Sequence, residues 1–155
     1  MAADPLSSEH KVTDPFDLNR FIEAQEAVYD RALSELRNGR KETHWMWFIF
    51  PQIAGLGTSP MSHRYSIRSV AEARAYLDHP ILGPRLIECG NAVLAVENRS
   101  ATEILGKPDD MKMKSCATLF EYVSQSENIF TEILIKYYDR KRDSRTLDLI
   151  QSKEK

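Results

Sequence analysis

Cysteine is scarce in this chain: Cys89 and Cys116 are the two among 155 residues. They are too few for a disulfide scaffold and sit in no metal-ligand spacing. Free thiols in a reducing cytoplasm are the simplest reading, with a single disulfide as the alternative. An excess of one charge sign is also missing, since 21 basic residues stand against 23 acidic ones, for a net charge of -2. That balance exerts no pull toward nucleic acid or anionic membrane. Long hydrophobic runs are absent as well. The densest, Trp45 to Phe50, falls far short of the roughly 20 residues that cross a bilayer. The acidic, polar N-terminus has no signal-peptide core. Internal repeats and low-complexity segments are lacking. The expectation is a soluble cytoplasmic protein, a monomer or weak homodimer, with neither nucleic acid nor membrane as a partner and no cofactor implied.

What is present is concentrated in one stretch, His44 to Tyr65, reading HWMWFIFPQIAGLGTSPMSHRY. Its first half holds both tryptophans and two of the six phenylalanines. Such a block is stable only in the interior. As a strand it would have no partner and would leave buried backbone groups unsatisfied. A short helix over about 41–50, apolar nearly all round and stopped by Pro51, is the better reading. Its second half is a loop whose Gly55 and Gly57 permit unusual backbone or a close approach. Thr58, Ser59, Ser62, His63, Arg64 and Tyr65 supply polar groups. The loop is no phosphate-binding P-loop, because the Gly-Lys-Ser/Thr ending is absent. It is no dinucleotide fingerprint either, since no strand precedes it.

Helical periodicity fills the rest. Leu18, Phe21, Ile22, Val28, Tyr29, Ala32, Leu33 and Leu36 recur at helical spacing, with a break near 24–26 and Gly39 as a stop. Asp17 reads as the N-cap. Glu23, Glu26, Asp30, Arg31, Glu35 and Arg37 read as a solvated face. Ser69–Glu72 and Ser100–Glu103 fit capping boxes. Further stripes follow over 81–98, 109–123, 129–138 and 146–150. The expected fold is all-α, a single compact domain over 14–152 of about six to eight helices around a central aromatic helix, preceded by a flexible tail over 1–13.

Chemistry could sit in several places. The loop over 52–65 is either a connecting segment over the aromatic core or the rim of a pocket with an aromatic floor. In the second case Trp45 and Trp47 offer stacking faces, Gln52, Ser59, Ser62, His63 and Tyr65 form the rim, and Gly55 and Gly57 allow a ligand to approach closely. His44, amid apolar residues, reads as a hydrogen-bonded core histidine, or as a proton-transfer group beside Trp47. Arg85 and Glu88, three apart on one helix, read as a surface ion pair. If both faced the glycine loop, Arg85 would hold a phosphate or carboxylate and Glu88 would serve proton transfer. Lys112, Lys114 and Ser115 are either solvated or the anion-binding start of a helix. Cys89 and Cys116 lie on apolar stripes and read as inert core residues. No metal site is implied.

The block from His44 to Gln52, followed by Gly55-Leu-Gly57, Ser59, Ser62 and Tyr65, resembles the signature of a family of uncharacterised, mostly α-helical proteins commonly labelled calpastatin-like. The likeness continues through Ala75–Pro80, Leu82–Leu86, Cys89 and Lys114–Phe120, and so covers about 14–150. It implies a compact single α-helical domain and no assigned activity. Cys116 departs from the Ser-Ser pair associated with the family at this point, so that pair is given no catalytic part. Calpastatin inhibitory segments are disordered, whereas this chain is patterned as a globule. A more distant likeness, of fold alone, is to small α-helical proteins of NAD and ADP-ribose metabolism that cleave N-glycosidic bonds.

Three readings of function remain open on the residues. One is a small-molecule pocket at 44–65, hydrolysing a nucleotide or ADP-ribose-type ligand, with His44 and Glu88 as catalytic groups. It places Trp45, Trp47, Gln52, Gly55, Gly57, Ser59, Ser62, Tyr65, Arg85 and Lys114 at the ligand. The second is a binding module without turnover. The third is an interaction protein whose loop packs flat.

Overall fold

The computed structural model describes residues 14–124 and 128–154; the tail expected over 1–13 lies outside them. Ten helices follow one another among the described residues: α1 (Asn19–Glu26), α2 (Tyr29–Arg37), α3 (Met46–Ile49), α4 (Pro60–Arg64), α5 (Val70–Asp78), α6 (Leu82–Leu94), α7 (Ala101–Leu105), α8 (Asp109–Val123), α9 (Ile129–Tyr138) and α10 (Ser144–Glu154). The fold is all-α, and none of these helices is long and apolar enough to cross a membrane.

Local sequence explains most boundaries. Ser100 accepts from the Glu103 amide while Glu103 accepts from the Ser100 amide, a reciprocal capping box that starts α7. Asn128 takes the Phe130 and Thr131 amides at the head of α9, and Asp143 takes the Thr146 amide at 2.9 Å at the head of α10. Two caps differ from expectation. Asp17, at φ 54, does not cap α1; the Asp14 carboxylate takes the Leu18 and Asn19 amides instead. Ser69 does cap α5 through the Glu72 amide, but the Glu72 carboxylate turns inward to the Arg68 amide and Arg20.

The aromatic block is buried as its composition requires, with Trp45 at 0% exposure and Phe48, Ile49 and Phe50 nearly as deep. It does not form the helix expected over 41–50. Only the single turn α3 is helical. The interior helix with the most packing partners is α8, which meets α5, α7, α9 and α10. Met113, Cys116, Leu119 and Phe120 of α8 are all within 1% of full burial, each worth roughly 1.5–3 kcal/mol for the larger side chains. The α3 turn packs against α1, and its backbone groups are met partly within the turn, where the Ile49 amide donates to the Trp45 carbonyl, and partly by a side chain. The Phe48 carbonyl accepts from Gln25 Nε2 at 2.8 Å.

The loop after Pro51 is tied at both ends. Ile53 and Ile67 form a parallel bridge, in which the Ala54 amide donates to the Ile67 carbonyl and the Ile67 amide to the Gln52 carbonyl. Between these ends α4 forms, because Ser59 caps it and Pro60 opens it. Arg20 then fastens the loop to the body. Its side chain is buried and spends all five N–H donors. Nε donates to the Arg64 carbonyl, one terminal nitrogen to the Phe16 and Asp17 carbonyls, and the other to the Ser66 carbonyl and the Glu72 carboxylate at 2.7 Å. Both partners of that ion pair are 2% exposed.

Removing one member of a buried pair strands the other, at a cost of about 3–5 kcal/mol. Arg20→Ala is therefore expected to lower unfolding free energy in urea by about that much, and Arg20→Lys to recover little because an ammonium cannot reproduce the fork. A loss under about 1 kcal/mol would show that the network contributes nothing net.

Candidate functional site

The turn leading into the aromatic block is set by a carboxylate that charge patterning places in solvent. Glu35 lies on α2, yet it is buried. Its oxygens accept from the Glu42 and Thr43 amides, the Thr43 hydroxyl and the Trp45 indole N–H, at 2.7–3.0 Å. Burial alone would raise its pKa, but these four donors outweigh it and hold the carboxyl at about 2, against an ordinary value of 4.5. Glu35 thereby pins Trp45 as floor and leaves His44 and Trp47 at the surface edge.

Beyond that turn lies a cleft of about 380 Å³ between residues 41–47 and the start of α8. Its floor is apolar, formed by Trp45, Met46, Leu105 and the half-buried face of Trp47; its rim carries Lys41, Lys107, Lys112, His44 and Asp109. Asp109 holds Lys41 at 3.0 Å and Lys112 at 3.6 Å. The Lys112 ammonium also lies 5.5 Å over the Trp47 ring and the Lys41 ammonium 5.1 Å over the Trp45 ring. Three lysines against one carboxylate leave two positive charges in excess. His44, read as a core histidine or a proton-transfer group, is exposed on this rim, so the core reading does not hold. Among the described residues no cluster of His, Cys, Asp and Glu is placed to hold a metal ion.

Trp47 also forms a wall of a second cleft, with Gln52, Gly55, Gly57, Ser62, His63 and Tyr65. Six of the residues expected at the ligand, Trp47, Gln52, Gly55, Gly57, Ser62 and Tyr65, thus do converge. The loop has closed on itself, however. Gly57 approaches so near that a Cβ there would lie 2.4 Å from Ser62 Oγ, and Gly55, at φ 110, takes a conformation suited to glycine. Ser59 faces outward as the cap of α4, bonded to Ser62. The remaining space is about 20 Å³, room for one water and no organic ligand.

Arg85 and Glu88 are elsewhere, and they do not pair with each other. Arg85 reaches Gln25 at 3.2 Å and Glu26 at 3.3 Å and lies over the Tyr29 ring. Glu88 accepts from Tyr29 Oη and meets Arg37 at 3.5 Å. Glu88 lines an open groove of about 1000 Å³ between α5 and α6, with Leu77, His79, Pro84 and Ile87. Lys114 lines neither cleft, and its carbonyl accepts from Thr118 Oγ1. Both cysteines are free and buried. Burial pushes the Cys89 thiol up to about 12 and the Cys116 thiol further, which suits inert core residues. Lys41 and Lys107 carry no signal in sequence, because nothing local says that residues 66 positions apart share a rim; Lys112 was within reach as part of a helix start.

The comparisons place the chain among proteins without an assigned activity. A family model described as a protein of unknown function (DUF1810) matches residues 15–150. The crystal structure of a conserved hypothetical protein from Mycobacterium tuberculosis is similar, at 51% identity and a TM-score of 0.88, covering 89% of this chain and 99% of that one. No curated protein matches. Neither match carries a calpastatin label.

The Glu35 carboxyl sits below its unfolded value. The stability it adds is therefore fully present above about 4.5 and lost as pH falls toward about 2. Glu35→Gln should flatten the acid limb of a stability profile in that window while lowering stability at neutral pH. An unchanged acid limb would remove Glu35 from this role.

Proposed function

We propose, for a chain that belongs to the DUF1810 family of proteins of unknown function, that it binds a small molecule with an apolar body and an anionic head in the cleft between residues 41–47 and the start of α8. The observation that carries this reading is the combination of an apolar, indole-walled floor with a lysine-rich rim in one concavity. Ligand sites typically run to about 300–1,000 Å³ and are mostly apolar with a few convergent polar groups, and this cleft sits at the small end of that range. The glycine-loop cleft is too small for the purpose. Arg85 and Glu88 have no part in it, since their partners lie on α1 and α2. Hydrolysis of a nucleotide-type ligand remains the reaction to assay, with His44 as the rim group able to transfer a proton.

The test is a thermal-shift panel of nucleotides, sugar phosphates, aromatic carboxylates and neutral analogues on the full chain, repeated on Lys112→Ala and Trp47→Ala. A ligand at a hundred times its Kd adds about 2.7 kcal/mol. Anionic ligands should raise the midpoint in the parent and not in the variants, and hits should then be assayed for turnover with and without His44→Ala. Stabilisation that survives both variants, or none across the panel, would overturn the reading.

A further inference from the structure

Charge and shape narrow the ligand class, on the premise that the cleft just proposed is the binding site. We infer that its occupant is a phosphate monoester of a single flat-ringed molecule, of mononucleotide size, with the dianionic phosphate on the lysine rim and the ring on the floor beside Trp47.

Three features of the cleft support this. The first is the charge excess. With Asp109 in place, Lys41, Lys107 and Lys112 leave two positive charges without a counter-charge among the residues lining the cleft. A phosphate dianion matches that excess, whereas a carboxylate would neutralise half of it. Lysines used as point charges are common phosphate binders, and planar bidentate carboxylate recognition favours arginine; no arginine lines this cleft.

The second is burial. The Lys41 side chain is 9% exposed and that of Lys112 23%. Two ammonium groups held that far from water interact with an anion more strongly than surface lysines do, because solvent screens them less. Asp109 holds both in place and competes with the ligand for them.

The third is the floor. The Trp47 indole and Pro108 border the cleft over the buried Met46 and Leu105, and an indole face suits one ring system. At about 380 Å³ the cleft lies near the lower bound of roughly 300 Å³ for ligand sites, which favours one ring and one phosphate over a dinucleotide. Lys112 lies over the indole and also reaches Asp109, so its ammonium stands where floor and rim meet.

Titration calorimetry on the full chain with adenosine 5′-monophosphate, adenosine, inorganic phosphate and indole-3-acetate tests this. The monophosphate should bind at least roughly tenfold tighter than any of the other three, a difference of about 1.4 kcal/mol. Its affinity should fall with added salt. Lys107→Ala and Lys112→Ala should each weaken it roughly tenfold or more, the size of a lost charge-assisted contact. Asp109→Asn should instead tighten it, by removing the competing carboxylate, which a merely structural role for Asp109 would not do. Midpoints of thermal unfolding confirm that each variant is folded. If indole-3-acetate or adenosine binds as tightly as the monophosphate and the lysine variants weaken it, the phosphate assignment fails while the cleft remains the site. If none of the four binds, and the wider panel also fails, both fall together.

Discussion

A buried guanidinium is the constraint on which the other parts depend. Arg20 is out of water with every donor filled, four of them by backbone carbonyls from two separate loops and one by Glu72. Taking that charge inside costs several kcal/mol and is tolerable only if all partners are present together. The chain before α1, the loop ending at Ser66 and the first turn of α5 must therefore assemble as a unit. This requirement explains how a loop of irregular backbone can be closed down on an aromatic core, and among the described residues no buried side-chain nitrogen or oxygen lacks a hydrogen-bond partner.

Glu35 serves the same purpose at the opposite end of the aromatic block. A block of this hydrophobicity is held inside by transfer free energy, and Glu35 fixes the turn by which the chain enters it. By collecting two amides, a hydroxyl and an indole N–H, Glu35 stabilises a non-helical approach. Trp45 goes under and Trp47 becomes a wall shared by two clefts. One of these is filled by the protein itself, because Gly57 lets Ser62 come within contact distance. The other keeps ligand-scale volume between residues 41–47 and the start of α8, with Lys112 of α8 among its lining residues.

The all-α class, the position of most helix ends and the burial of the aromatic block were legible in the sequence. These follow from short-range physics: periodicity, Ser and Asn caps, and the cost of exposing indole and phenyl rings. The sequence also pointed to 44–65 as the segment around which polar and aromatic groups gather. Tertiary structure alone decided that Glu35 and Glu72 are interior carboxylates, since charge patterning along α2 and α5 says nothing of the donors that reach them from residues 20, 42, 43, 45 and 68. It alone decided that Arg85 and Glu88 pair with other helices rather than each other, and that Lys41 and Lys107 share a rim with Lys112. The physical reason is the same in each case: the electrostatic environment of a side chain is set by groups distant in sequence, and only packing brings them within reach.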